Sequence, residues 1–107
     1  MSLGVARLFD RVDGWCNHGN ICCTHLVVGK CGTISGGSPN VFTNNLNTIR
    51  LNEVGRHASC CNINQFWNVQ GNPTVLVNDR PIVRLTDVTR HCGGWGKVTM
   101  ASTNVFA

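Results

Sequence analysis

Residues 37–57 read GSPNVFTNNLNTIRLNEVGRH and residues 71–91 read GNPTVLVNDRPIVRLTDVTRH, two stretches that align without a gap. A fixed internal period means that a fold is assembled from copies of one supersecondary unit. Each copy opens Gly-x-Pro, from Gly37 or Gly71, and continues into a short β-prone run, Val41-Phe42-Thr43 or Val75-Leu76-Val77. A turn-prone cluster follows, Asn44 to Asn47 or Asn78 to Pro81, and then a second strand, Thr48 to Leu51 or Ile82 to Leu85. Asn-Asn and Asn-Asp between apolar runs predict tight hairpins, because Asn and Asp tolerate the left-handed backbone that such turns require. Beyond each second strand an acid precedes a histidine by four residues: Glu53 and His57, Asp87 and His91.

A third copy is divided between the two ends of the chain. Ser102-Thr103-Asn104-Val105-Phe106 repeats the first strand, and Val5-Ala6-Arg7-Leu8-Phe9-Asp10 repeats the second. The last strand is therefore predicted to pair with the first, closing a ring of three hairpins with pseudo-threefold symmetry.

A chain of 107 residues makes one domain, 1–107, and buries too little surface to be generously stable on packing alone. With 12 glycines and 13% charged residues, its apolar core is expected to be thin. Seven cysteines and four histidines are the candidate staples. The N-terminal residues Met1 to Arg7 contain no signal-peptide hydrophobic region, and the adjacent pairs Cys22-Cys23 and Cys60-Cys61 lie near histidines, which favours a metal over a disulfide framework. The net charge of +4 is modest and the nine basic residues form no run. Arg7, Arg50 and Arg84 each precede an acid by three residues (Asp10, Glu53, Asp87), a regularity that predicts structural ion pairs at strand ends and argues against nucleic acid as a partner. No stretch is long or apolar enough to predict stable membrane insertion.

Along the chain, residues 1–10 are expected to form a strand, 11–24 an irregular loop, 58–68 a second loop and 92–96 a third, shorter one before a strand over 97–100. No segment carries sustained helical periodicity, so the class is all-β. Each loop follows the second strand of its unit, so all three should leave the same side of the ring and converge at an apex. That convergence makes His57 and His91 candidate metal ligands, joined by others from the first loop.

These features together resemble the PAAR-repeat family: three hairpins in a ring, Gly-Ser/Asn-Pro-x-Val-x-x-Asn followed by x-Arg-Leu-x-Asp/Glu, and a histidine on each returning loop. Variants of the family's Pro-Ala-Ala-Arg sequence stand at Pro81-Ile82-Val83-Arg84, Asn47-Thr48-Ile49-Arg50 and Gly4-Val5-Ala6-Arg7. The departures are the lost alanines and the cysteine-rich first loop. The resemblance covers nearly the whole chain and implies a small cone on the trimeric spike of a contractile injection machine, a phage tail or a type VI secretion apparatus. Its flat base would dock on the spike trimer and its metal-bound point would meet the target cell envelope. The chain would then belong to the virion baseplate or be injected by a bacterial apparatus, and it would not be an enzyme. A pseudo-threefold base lets one chain cap a true threefold partner.

Zinc prefers four nitrogen or sulfur ligands, and a structural site draws all four from protein. The candidate set is His25, which matches a ligand position in the family, with His57, His91 and Cys16; His18 and Cys60 are alternates for the fourth position, and iron is the alternative metal. Cys22, Cys23, Cys31, Cys61 and Cys92 are read as small buried hydrophobes, with a disulfide among them left open. Trp15, Trp67 and Trp95, one per loop, are read as apolar cover over the metal. The expected base comprises Phe42, Asn44, Asn45, Leu76, Asn78, Asp79 and Phe106. The alternative reading is a cysteine/histidine zinc module that binds nucleic acid or protein. A catalytic zinc would need an open position and a nearby free acid or base, and Asp13 is the sole loop carboxylate without an evident arginine partner.

Overall fold

The computed structural model of the chain describes residues 2–15, 21–26, 36–56, 65–91 and 94–107, with backbone alone at 14–15, 21–26, 56, 91 and 94. The protein is all-β, with no helix among the described residues. Its strands are β1 (Arg11–Trp15), β2 (Ile21–Leu26), β3 (Phe42–Thr43), β4 (Leu46–Asn47), β5 (Val54–Arg56), β6 (Gln65–Asn68), β7 (Asn72–Val77), β8 (Arg80–Ile82), β9 (Val88–His91) and β10 (Gly94–Val98). β3 and β4 form one two-stranded hairpin and β7 and β8 another, while the remaining strands make an antiparallel sheet in the order β2-β1-β10-β9-β6-β5.

The hairpins turn where Asn-Asn and Asn-Asp predict. Asn44 and Asn45 have φ of 52° and 65°, and Asn78 and Asp79 have 51° and 68°, so both central residues of each turn are left-handed. That is the type I′ geometry whose twist matches the flanking strands. The turns are tighter than expected: Leu46 pairs with Thr43 and Arg80 with Val77, so Leu46-Asn47 and Arg80-Pro81 belong to strands.

A second turn, Arg-Leu-x-acid, recurs at residues 7–10, 50–53 and 84–87. In each, the acid's N–H donates to the arginine carbonyl, at 3.0 Å (Asp10), 3.1 Å (Glu53) and 3.1 Å (Asp87). The residue before the acid is left-handed in all three: Phe9 at 74°, Asn52 at 70° and Thr86 at 70°. Asn suits this conformation and β-branched Thr does not. Replacing Thr86→Asn is therefore expected to stabilise the fold by about 1 kcal/mol, read as a higher urea midpoint; a lower midpoint would show that Thr86 carries no strain.

The second strands of the three repeats meet at the centre. Ala6 N–H donates to the Val83 carbonyl (2.9 Å), Val83 N–H to Ile49 (3.1 Å) and Ile49 N–H to Ala6 (3.1 Å), a closed cycle of backbone bonds among three fully buried residues. Outside it, Leu8 N–H donates to Asn47, Leu51 to Pro81 and Leu85 to Gly4, again one bond per repeat. The chain's two end segments pair as predicted: Leu3 and Ala107 exchange both backbone bonds (3.1 and 2.9 Å), and Val5 N–H donates to Val105 (3.0 Å). Where the first strand of a unit approaches its second there is room for one Cβ. Gly37 faces Asn47 and Gly71 faces Pro81, whereas Ala101 faces Gly4, where an added Cβ would overlap the Ser102 carbonyl oxygen.

The core is thin. Ala6, Val12, Ile49, Phe66, Val83, Val98 and Ala101 form the main cluster, with Leu8 and Leu85 against it, and Val5, Val77 and Ile82 form a smaller one. The larger sheet curls into a half barrel, bringing its edge strands β2 and β5 back into contact, with Val12, Phe66 and Val98 on the inner face.

This sheet corrects several expectations. In place of one strand over 1–10, residues 2–10 form isolated bridges at Gly4, Val5 and Arg7 and a turn. Segments expected to be loops supply β1 and β2, β6, and the start of β10, while Thr99 and Met100 lie beyond β10. The cause is lateral pairing of the three excursions, β1 with β10 and β9 with β6, which no single excursion reveals.

Candidate functional site

Equivalent positions of the three repeats are apolar and exposed. Phe42, Leu76 and Phe106 are 57%, 56% and 57% exposed, and the preceding Val41, Val75 and Val105 are each 37% exposed. A polar turn sets each pair. Ser38 Oγ accepts from Val41 N–H (2.9 Å) and Ser102 Oγ from Val105 N–H (2.9 Å), while in the third unit Asn72 Oδ1 accepts from Thr74 N–H (3.0 Å). These local bonds hold the backbone, so the apolar side chains face solvent without needing a core behind them. The valines were missed in the sequence reading, although the repeat alignment itself marks them.

The turn asparagines also bond between repeats. Asn44 Nδ2 donates to Asn104 Oδ1 (2.9 Å) and its Oδ1 accepts from Arg7 Nη1 (3.1 Å). Asn78 Nδ2 donates to Asn40 Oδ1 (3.0 Å), and its Oδ1 accepts from Ser38 Oγ (2.6 Å) and Arg50 Nη1 (3.1 Å). The first residue of each turn thus clamps its hairpin to the preceding repeat, and all four turn residues, Asn44, Asn45, Asn78 and Asp79, are exposed.

The arginine–acid pairs are structural, as their spacing predicts. Arg7 meets Asp10 at 2.9 Å, Arg50 meets Glu53 at 2.6 Å and Arg84 meets Asp87 at 3.3 Å, each acid being almost fully buried. The side-chain hydrogen bond to Asp10 raises the Arg7 guanidinium above its ordinary value, against the opposing effect of burial and with the help of the Asp10 charge. A raised basic group contributes stability below its unfolded pKa and loses it as pH climbs through the folded one. Arg7 therefore stays charged and paired through neutral and mildly alkaline pH.

Of the candidate ligands, Cys16, His18, His57 and Cys60 lie outside the described residues, as do Cys31, Cys61 and Cys92. His25 lies on β2 opposite Val12 and His91 ends β9 opposite Gly94; Cys22 and Cys23 are also on β2, so these four are strand residues rather than loop residues. Among the described residues no three His, Cys, Asp or Glu cluster to hold a metal. The strand directions bear on the site: alternating antiparallel pairings make β1, β5 and β9 run the same way. β1 and β5 end one residue before Cys16 and His57, which lie outside the described residues, and β9 ends on His91. Imidazole and thiolate are donors that suit zinc, but His25, paired with Val12, stands three residues back from the end of β1 that precedes Cys16.

The tryptophans do not all serve as cover. Trp95 is 57% exposed on the outer face of the sheet, with the Arg90 guanidinium 5.5 Å from its ring centroid, and Trp67 is half-buried opposite the same arginine. Strand alternation explains the difference: Phe66, Asn68 and Thr89 take the inner face, which turns their neighbours outward. Trp15's side chain lies outside the described residues.

Comparison of the chain with protein-family models, curated protein sequences and solved structures gives no match. Among the described residues no helix is long and apolar enough to cross a membrane.

Proposed function

We propose that the chain is a PAAR-like spike tip, a pseudo-threefold cone whose base caps the trimeric spike of a contractile injection machine and whose metal-bound apex enters the target envelope. The observation that carries this reading is the near-identical exposure of Phe42, Leu76 and Phe106 at equivalent repeat positions. Exposed apolar pairs repeated three times cost solubility unless a partner covers them, and a partner matching three equivalent patches on one chain is most simply a threefold one. The cyclic bonds of Ala6, Ile49 and Val83 support the same symmetry. Native mass spectrometry of the chain mixed with the trimeric spike of its parent assembly should give one chain per trimer; a 3:3 complex, or none, would sink the proposal.

His25, His57, His91 and Cys16 would hold zinc, or iron in its place, as a structural ion tying the ends of the excursions together. Elemental analysis is expected to find one such ion per chain. Its removal by chelation should lower the melting temperature by about 10 °C or more, and an unchanged melt after complete removal would count against a metal apex.

A further inference from the structure

The outer face of the six-stranded sheet carries chemistry that docking and metal binding leave unused. Trp67, Arg90 and Trp95 stand directly opposite one another on β6, β9 and β10, so their side chains share a face. Lys97, two residues beyond Trp95 on β10, is on that face and exposed. Neither Arg90 nor Lys97 makes an ion pair among the described residues. Asp13 is opposite Lys97 but makes no ion pair with it; its carboxylate accepts from Arg11 Nε (3.4 Å) and Thr99 Oγ1 (2.8 Å), so Arg11, Arg90 and Lys97 leave this part of the face net positive.

We infer that this face is a peripheral contact site for anionic phospholipid headgroups. Tryptophan favours the boundary between water and acyl chains, where an apolar ring and a polar N–H are both accommodated. The two cations beside it, neither in an ion pair among the described residues, complement lipid phosphates. Shape selects lipid over other polyanions: the face is the convex side of a curled sheet, which meets a flat surface tangentially and has no groove to follow a nucleic-acid strand. Arg90 also lies over the Trp95 ring, which keeps the cation beside the aromatic and takes up a ring face on which a base or sugar would stack. Contact of this kind is superficial and requires no insertion. It does not depend on the spike-tip reading, since it concerns residues of the six-stranded sheet and none of the repeats' apolar patches, and it is tested on the isolated chain.

The test is sedimentation of the full chain with phosphatidylglycerol–phosphatidylcholine vesicles and with pure phosphatidylcholine vesicles at low salt, with tryptophan emission read in parallel. Binding to the anionic vesicles alone, with a blue shift that Trp95→Phe diminishes, is expected. Arg90→Gln should weaken partitioning by about fivefold, and adding Trp95→Ala should weaken it further. Both side chains are exposed, so circular dichroism of the variants should match the parent. Equal binding to neutral vesicles, no binding to either, full binding by the double variant, or displacement by an oligonucleotide or a soluble glycan would each overturn the inference.

Discussion

Deleting residues 102–107 should unfold the protein. The segment is small and mostly exposed, yet it supplies the partner for the start of the chain. Its loss removes the two bonds between Leu3 and Ala107, the bond from Val5 to Val105 and the bond from Ser102 to Val5. At about 1 kcal/mol for each backbone bond, these amount to a large share of the stability of a domain this size. Val5, now almost fully buried, would also open to water, at about 2 kcal/mol. It packs with Val77 and Ile82, and it adjoins Ala6, so the damage reaches the central cycle. Circular dichroism and urea titration of the truncated chain should show no cooperative transition. A retained β-spectrum with a normal urea midpoint would mean that metal-bound excursions alone hold the fold, as in an independent zinc module.

Substituting Phe42→Asp together with Leu76→Asp should abolish docking on the trimeric spike while leaving the isolated chain folded. Both side chains are more than half exposed, so the free protein loses little packing. In a complex they would be covered, each contributing about 2 kcal/mol of apolar burial. The introduced carboxylates would be desolvated without partners, which adds a further penalty. Together these should weaken binding by roughly three orders of magnitude or more. Lys97→Asp, on the outer face of the sheet, is the control and should dock normally. Docking of the double variant at parental affinity would move the interface elsewhere and remove the main support for the spike-tip reading.

The two faces differ in how they became visible. The apolar triad follows from the repeat, since Phe42, Leu76 and Phe106 occupy the same position of an aligned unit. The outer-face ladder follows from register: Arg90 lies between Trp67 and Trp95 because β9 pairs with both β6 and β10. No sequence period links those residues, so the one-per-loop spacing that suggests apolar cover over a metal gives no sign that Trp95 is 57% exposed.

What the sequence determined by itself is the local machinery. The type I′ turns, the Arg-Leu-x-acid turns with their ion pairs, and the joining of the two end segments all depend on a few neighbouring residues or on an alignable copy. The six-stranded sheet was decided only in three dimensions. Its excursions differ in length and composition, and each is too short to hold strand structure alone. They become strands because the central cycle sets them side by side in one direction, where pairing laterally satisfies backbone groups that would otherwise be buried without partners.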